Sequence, residues 1–194
     1  MNTSALHAAL VALVATTALP AIAAPVVYEL DPTHTYPSFE ADHMGMSMWR
    51  GKFKTSRGKV TLDKEAGQGT LEVTVDMASV DFGLDLMNKT ARGTEFFDTK
   101  KYPKATFKGK LDGFTNGAPS RAVGDLTFHG VTRPVVLTLN SFKCMAHPML
   151  KRDWCGADAQ TTINREEFGI AMGKEWGFKM DVGLRIQVEA VASK

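Results

Sequence analysis

Hydrophobic and polar residues alternate along much of the chain, with the period of two that marks a strand with one buried face. The clearest run lies near the C-terminus. Val182, Leu184, Ile186, Val188 and Ala190 share one parity there, and Asp181, Gly183, Arg185, Gln187 and Glu189 take the other. Leu71, Val73, Val75 and Met77 repeat the pattern against Thr70, Glu72, Thr74 and Asp76, and Val135, Leu137 and Leu139 form a third row. Weaker alternation runs through Phe39, Ala41 and His43, through Trp49, Gly51 and Phe53, through Ala105, Phe107 and Leu111, and through Leu126 and Phe128. Turn formers separate the rows at Lys64 to Gly69, at Asn116-Gly117-Ala118-Pro119 and at His129-Gly130. Many short strands at such spacing predict an all-β fold, an antiparallel barrel or sandwich. Residues 83–92 suit one short helix or loop better than a strand. No strand–helix alternation exists, which argues against a parallel sheet.

The N-terminus breaks the pattern. The first Asp, Glu, Lys or Arg is Glu29, and Ala5 to Ala18 is almost wholly Ala, Leu and Val. The run ends in Leu19-Pro20-Ala21-Ile22-Ala23-Ala24, in which Ala21-Ile22-Ala23 has the small-x-small form of a leader cleavage site. Residues 1–23 are therefore expected to be a signal peptide. Residues 24–194 are expected to form one exported domain, with no repeat, linker or low-complexity tract. The apolar run is shorter than the roughly 20 residues that cross a bilayer.

Composition narrows the function. The 194 residues are 44% hydrophobic and 23% charged, an ordinary globular balance. A net charge of +2 offers no general nucleic-acid footprint. No G-x-S-x-G elbow, H-E-x-x-H helix, Walker A loop or C-x-x-C pair occurs. No catalytic residues are assigned, and no cofactor is expected. The inward rows carry Phe39, Trp49, Phe53, Phe107 and Phe128. In a barrel of about eight strands such rows either fill the lumen or line a cavity for one small ligand, and alternation alone favours filling.

Four polar features stand out. His34, in Asp31-Pro32-Thr33-His34, and His43, in Asp42-His43-Met44-Gly45, could donate to a ligand head group or stabilise a turn. Their spacing and the lack of clustered carboxylates argue against metal. Arg50, Lys52, Lys54, Arg57 and Lys59 form a basic stretch, either a solvated outer face or a contact for anionic lipid head groups. Cys144 and Cys155 favour a disulfide in an exported chain; a metal set of Cys144, His147, Cys155 and Asp158 is the alternative. Asn88-Lys89-Thr90 matches a glycosylation sequon, a triplet common by chance.

Taken together, several segments resemble the YceI-like family of periplasmic polyisoprenoid-binding proteins over nearly the whole mature chain. They are Asp31-Pro32-Thr33-His34, Asp42-His43-Met44-Gly45, Gly51-Lys52-Phe53, Glu95-Phe96-Phe97-Asp98 and Tyr102-Pro103-Lys104-Ala105-Thr106-Phe107. The series continues with Gly124 to Val135, Ile163-Asn164-Arg165-Glu166-Glu167-Phe168-Gly169 and Val188-Glu189-Ala190. Cys144-Met-Ala-His-Pro and Cys155-Gly-Ala-Asp look like a cysteine-bearing subgroup. The resemblance implies an extended, lipocalin-like antiparallel β-barrel, located in the periplasm. Its lumen would hold a polyprenyl phosphate or the tail of an isoprenoid quinone, without catalysis. An enzyme acting on such a lipid and a ligand-free stress-response barrel are the alternatives. Phe39, Trp49, Phe53, Phe107 and Phe128 would then line the tunnel. His34, His43 and His129 would sit at its mouth, and Arg92 would serve a charged head group.

Overall fold

The computed structural model describes residues 24–194. The signal-peptide reading falls on residues 1–23, outside the described residues. The strands are β1 (Val26–Leu30), β2 (Tyr36–His43), β3 (Ser47–Phe53), β4 (Ser56–Asp63), β5 (Gln68–Asp76), β6 (Val80–Asp81), β7 (Lys104–Asp112), β8 (Arg121–Phe128), β9 (Val131–Ala146), β10 (Asp153–Asn164) and β11 (Asp181–Ala192). Helix α1 (Asp85–Ala91) lies within the stretch read as a helix or loop. Short 3-10 turns occupy Met77–Ser79, Arg165–Phe168 and Lys174–Trp176.

Every strand pairing is antiparallel. Eight strands, in the order β1-β4-β5-β7-β8-β9-β10-β11, close into a barrel through the β1–β11 pairing. Closure leaves no free edge within that ring. β11 is long enough to serve two partners. Its last residues pair with β1 (Tyr28↔Ala192, Leu30↔Ala190), and its first pair with β2 (Val182↔Ala41, Gln187↔Tyr36). β1 and β2 are thus successive half-strands on one edge of β11. The sheet continues from β2 into β3 and β6 and extends the barrel at one end, called here the upper end.

The break between the half-strands has a local cause. Pro32 cannot donate to a ladder, and Asp31 Oδ1 accepts from the Thr33 amide at 2.8 Å, turning the chain. Buried Thr35 reconnects it, its hydroxyl lying 3.2 Å from both the Glu189 carbonyl and the Glu189 amide of β11. At the β8–β9 hairpin, His129 (φ 50°) and Gly130 (φ 77°) make a two-residue turn of the kind that suits the strand twist. A Cβ on Gly130 would lie 2.6 Å from the Tyr102 ring. Gly51 has a similar use, since a Cβ there would meet Phe39 Cζ at 2.5 Å. Its bare backbone lets that ring lie flat across the sheet.

The rows read from alternation are strands β2, β3, β5, β7, β8, β9 and β11. β1, β4 and β10 have weaker signatures. Small residues at the inward positions Cys155, Ala157 and Ala159 make a poor hydrophobic row in β10. β9 also runs further than its Val135–Leu139 row, through Cys144 to Ala146. Helix α1 and the segment after it cover the space between β6 and β7. Asn88, 8% exposed, fastens the helix: its Oδ1 accepts from the Phe82 amide (2.7 Å) and its Nδ2 donates to Asp81 (3.1 Å). That amide is committed to the fold, which removes the sequon as a modification site. Among the described residues no helix is long and apolar enough to cross a membrane.

Candidate functional site

The barrel encloses a cavity of about 570 Å³, within the range that holds drug-sized and lipid-like ligands. It extends from Tyr28, Leu62 and Cys155 at the lower end to Trp49, Trp176 and Phe178 at the upper end. The inward rows build its wall: Leu71, Val73, Val75 and Met77 of β5 and its turn; Val135, Leu137 and Leu139 of β9; and Val182, Leu184, Ile186, Val188 and Ala190 of β11. The wall is almost wholly carbon. The filled lumen that alternation alone favoured is thus replaced by a lined void. The reason is size: β10 brings only Cys155, Gly156, Ala157 and Ala159 to a stretch of wall that larger side chains could have closed.

Phe39, Trp49, Phe53, Phe107 and Phe128 all lie in the wall. Five upper-end rings interlock. Phe39 packs on Phe53 (5.5 Å between centroids), Phe82 (5.3 Å) and Phe97 (6.2 Å), and Phe97 reaches Phe128 (5.8 Å). Tilted and edge-on aromatic pairs of this kind contribute roughly 0.5–1.5 kcal/mol each beyond area burial. His43 stands behind the wall at the upper mouth, stacked on Trp49 at 4.0 Å and edge-on to Phe178 at 5.0 Å.

The other polar residues singled out in the sequence are not in the wall. His34 is exposed on the outer surface, its Nδ1 2.7 Å from Asp31 Oδ2 and 3.8 Å from Glu189. The hydrogen bond to Asp31, then the two negative charges, raises the His34 pKa above its usual value. His129 holds the Phe168 carbonyl at 2.9 Å and packs on Tyr102, so it fastens the segment after β10 to the β8–β9 turn. Arg92 is the C-terminal cap of α1. The reason for these placements is common to all three: each lies in a turn or cap, where side-chain direction does not follow strand parity.

Among the described residues, three charged ones border the cavity, all from segments at the upper end: Asp42, Arg165 and Lys179. Arg165 extends the inward parity of Ile163 past the end of β10, a signal that is present in the sequence but does not by itself mark a site. Its guanidinium is half-buried, donating to the Ile170 carbonyl (3.1 Å) and the Met172 carbonyl (2.8 Å). Burial lowers its pKa from the usual arginine value, although a guanidinium stays protonated throughout the ordinary range. Lys179 and Asp42 form a loose pair at 3.9 Å. Asp42 also accepts from the Gly45 amide at 2.9 Å, holding the β2–β3 turn.

The lower end is closed by a polar latch. The Tyr28 hydroxyl and Lys64 Nζ both donate to Asp153 Oδ2 at 2.7 Å. Burial and the Asp153 charge push the Tyr28 phenol far above its usual pKa. For Asp153 the upward effect of burial is outweighed by these two donors, and its pKa falls. Next to the latch, Cys144 and Cys155 face one another across β9 and β10 and form a disulfide. The metal alternative is overturned with it. The sulfurs are bonded, His147 Nδ1 accepts from the Met149 and Leu150 amides, and Asp158 accepts from Asn140.

Three of the five basic side chains of the stretch have carboxylate partners. Arg50 pairs with Glu40 (3.4 Å), Lys54 with Asp81 (3.5 Å) and Lys59 with Glu29 (3.1 Å). By contrast, large apolar side chains are exposed on segments that form the upper end. Met46 is 83% exposed, Leu86 67% and Trp176 60%.

Residues 28–191 match the YceI-like domain family. The chain is 31% identical over 180 residues to a UPF0312 protein of Pseudomonas putida strain GB-1, and 32% identical over 180 residues to protein YceI of Escherichia coli O6:H1, in each case across 90% of both chains. Among solved structures, BcnA of Burkholderia cenocepacia superposes with a TM-score of 0.67 at 23% identity, over 82% of this chain and 98% of that one. A polyisoprenoid binding domain from Saccharophagus degradans superposes with a TM-score of 0.62 at 19% identity, over 87% and 99%. At these identities the two structures bear on the fold alone.

Proposed function

The chain belongs to the YceI-like family, and from that premise we propose that it is an exported, periplasmic protein that binds the tail of an isoprenoid lipid or quinone in its barrel lumen, without catalysis. The observation that carries the reading is the continuous, almost purely apolar cavity inside a barrel whose outward rows are polar. A polyisoprenoid tail is insoluble in water, and each CH₂ taken out of water contributes about 0.8 kcal/mol. The fold neighbour from Saccharophagus degradans, described as a polyisoprenoid binding domain, agrees with this chemistry. Export is supported by the uncharged N-terminal run and by the disulfide, a bond that persists mainly in oxidising compartments.

A carrier of this kind loads from a bilayer. We place the transient membrane contact at the upper mouth rather than at the basic stretch, because three of the five basic side chains there are ion-paired. Trp49, partly exposed, and Trp176 belong both to the cavity wall and to the exposed apolar set around Met46 and Leu86.

Organic extraction of the purified exported protein, followed by mass spectrometry, tests the reading. A co-purifying isoprenoid at near-stoichiometric amount is the expected result. Chemical conversion of that lipid on incubation would favour an enzyme. An empty extract, together with failure to take up an added polyprenol, would refute lipid binding.

A further inference from the structure

We infer that the tip of the β2–β3 hairpin is a binding site for a soft monovalent cation, Cu(I), held by the thioether sulfurs of Met44, Met46 and Met48. The site lies outside the lumen and does not depend on the lipid-binding reading.

The argument starts from the pattern. Residues 43–49 read His-Met-Gly-Met-Ser-Met-Trp, with methionine at three alternate positions. β2 and β3 pair through Asp42↔Met48 and His43↔Ser47, and Met44, Gly45 and Met46 form the turn between them. The Met46 amide closes that turn on the His43 carbonyl at 3.0 Å. Trp49 and Phe53 face the cavity, so Met48 takes the outward face of β3. Successive methionines are two residues apart, which keeps their Cα atoms within about 7 Å of each other.

Neither packing nor turn chemistry accounts for these side chains. All three are exposed. Met44 has φ 57°, a left-handed conformation that favours Asn, Asp or Gly. A bilayer contact at this mouth asks for apolar surface, which leucine would supply as well. What the three residues share is a polarisable sulfur on a flexible, unbranched chain, able to close on one ion. Thioethers are soft donors, and soft donors select Cu(I), whereas carboxylates and carbonyls suit Mg(II), Ca(II) and Mn(II). The lack of clustered carboxylates, which argues against a hard cation, is therefore no obstacle to this one. The backbone of the tip is held before an ion arrives. His43 stacks on Trp49 at 4.0 Å across its base, and the Gly45 amide donates to Asp42 at 2.9 Å. Binding then has only side-chain rotamers to fix. No thiolate competes, because both cysteines are in the disulfide.

The β9–β10 loop offers a comparison. It carries Met145, His147 and Met149, but only two thioethers, and His147 Nδ1 is occupied by the Met149 and Leu150 amides.

The test titrates delipidated, disulfide-intact protein with Cu(I) under anaerobic conditions, in competition with a chromophoric Cu(I) chelator, and with Zn(II) in parallel. Wild-type protein is expected to take up Cu(I) stoichiometrically. Met44→Leu, Met46→Leu and Met48→Leu combined keep size and apolarity while removing every sulfur of the site. That variant should lose the stoichiometric uptake and keep the urea midpoint and vesicle binding of wild type. Met145→Leu with Met149→Leu should take up Cu(I) as wild type does. Absence of stoichiometric Cu(I) uptake by wild type would overturn the inference. So would uptake that survives in the triple variant or disappears in the Met145 and Met149 variant. Zn(II) uptake that the triple variant removes would refute a site built from soft donors.

Discussion

Ala157→Leu separates a void from a packed core by the sign of its effect. Ala157 lies on β10 between Val188 and Phe142, in the cavity wall. It keeps part of its surface accessible although its strand is covered by β9 on one side and β11 on the other. That surface faces the lumen. Leucine adds three carbons, which contribute about 2.4 kcal/mol if fully taken out of water, at about 0.8 kcal/mol each. Immobilising the longer side chain costs roughly 0.5–1 kcal/mol. The delipidated variant should therefore be about as stable as wild type or up to ~1.5 kcal/mol more stable. In a filled core the same change would overpack the site and cost about 1–3 kcal/mol. The assay is equilibrium urea unfolding of delipidated wild type and variant, followed by a polyprenol titration of each. The added side chain should weaken tail binding by several-fold, because it occupies the space the tail needs. A loss of about 2 kcal/mol or more with unaltered lipid affinity would refute the void and the binding site together.

Four other outcomes are expected. Phe53→Ala should cost the delipidated protein about 2 kcal/mol in urea unfolding rather than the ~3–5 kcal/mol of a fully packed phenylalanine, since its ring packs on Phe39 and Phe97 but also borders open cavity. Replacing Cys144 and Cys155 together by Ser should lower stability by about 2–3 kcal/mol, the size set by a short closed loop, as read by urea midpoints without reductant. The His34 pKa is raised in the folded state, so its contribution to stability is full below the unfolded value of 6.5 and is lost as pH rises through the folded value; thermal scans from about pH 6 to 9 should show a decline that His34→Gln abolishes. Replacing Arg50, Lys52 and Lys54 by Gln should leave vesicle binding unchanged in a sedimentation assay, whereas Met46→Ser with Trp176→Ser should remove most of it.

Much of the wall is legible in the amino-acid sequence. Side chains of a strand alternate between its two faces, so a row such as Leu71-Val73-Val75 declares its inward face from spacing alone. The same locality places a short helix in residues 83–92 and turns at 64–69 and 129–130. It also sets Phe39, Phe53 and Phe107 on inward faces, and the cysteines pair once export is inferred. What alternation cannot carry is volume. Whether eight inward rows meet in the middle depends on barrel diameter and on which small residues face which large ones. The cavity follows from β10 bringing Ala157 and Ala159 to the wall, and a row of alanines is nearly silent as a strand signal. Nor can spacing assign polar residues in turns and caps. His34, Arg92 and His129 look like donors in sequence, but each lies where the chain leaves the ladder: His34 is spent on Asp31, His129 on the Phe168 carbonyl, and Arg92 sits at the C-terminal cap of α1, outside the cavity wall. Arg165 is the converse case. It continues the inward parity of β10, and only the fold of residues 164–181 turns that parity into a cation at the mouth of an apolar cavity, because the segments that surround it come from both ends of the sequence.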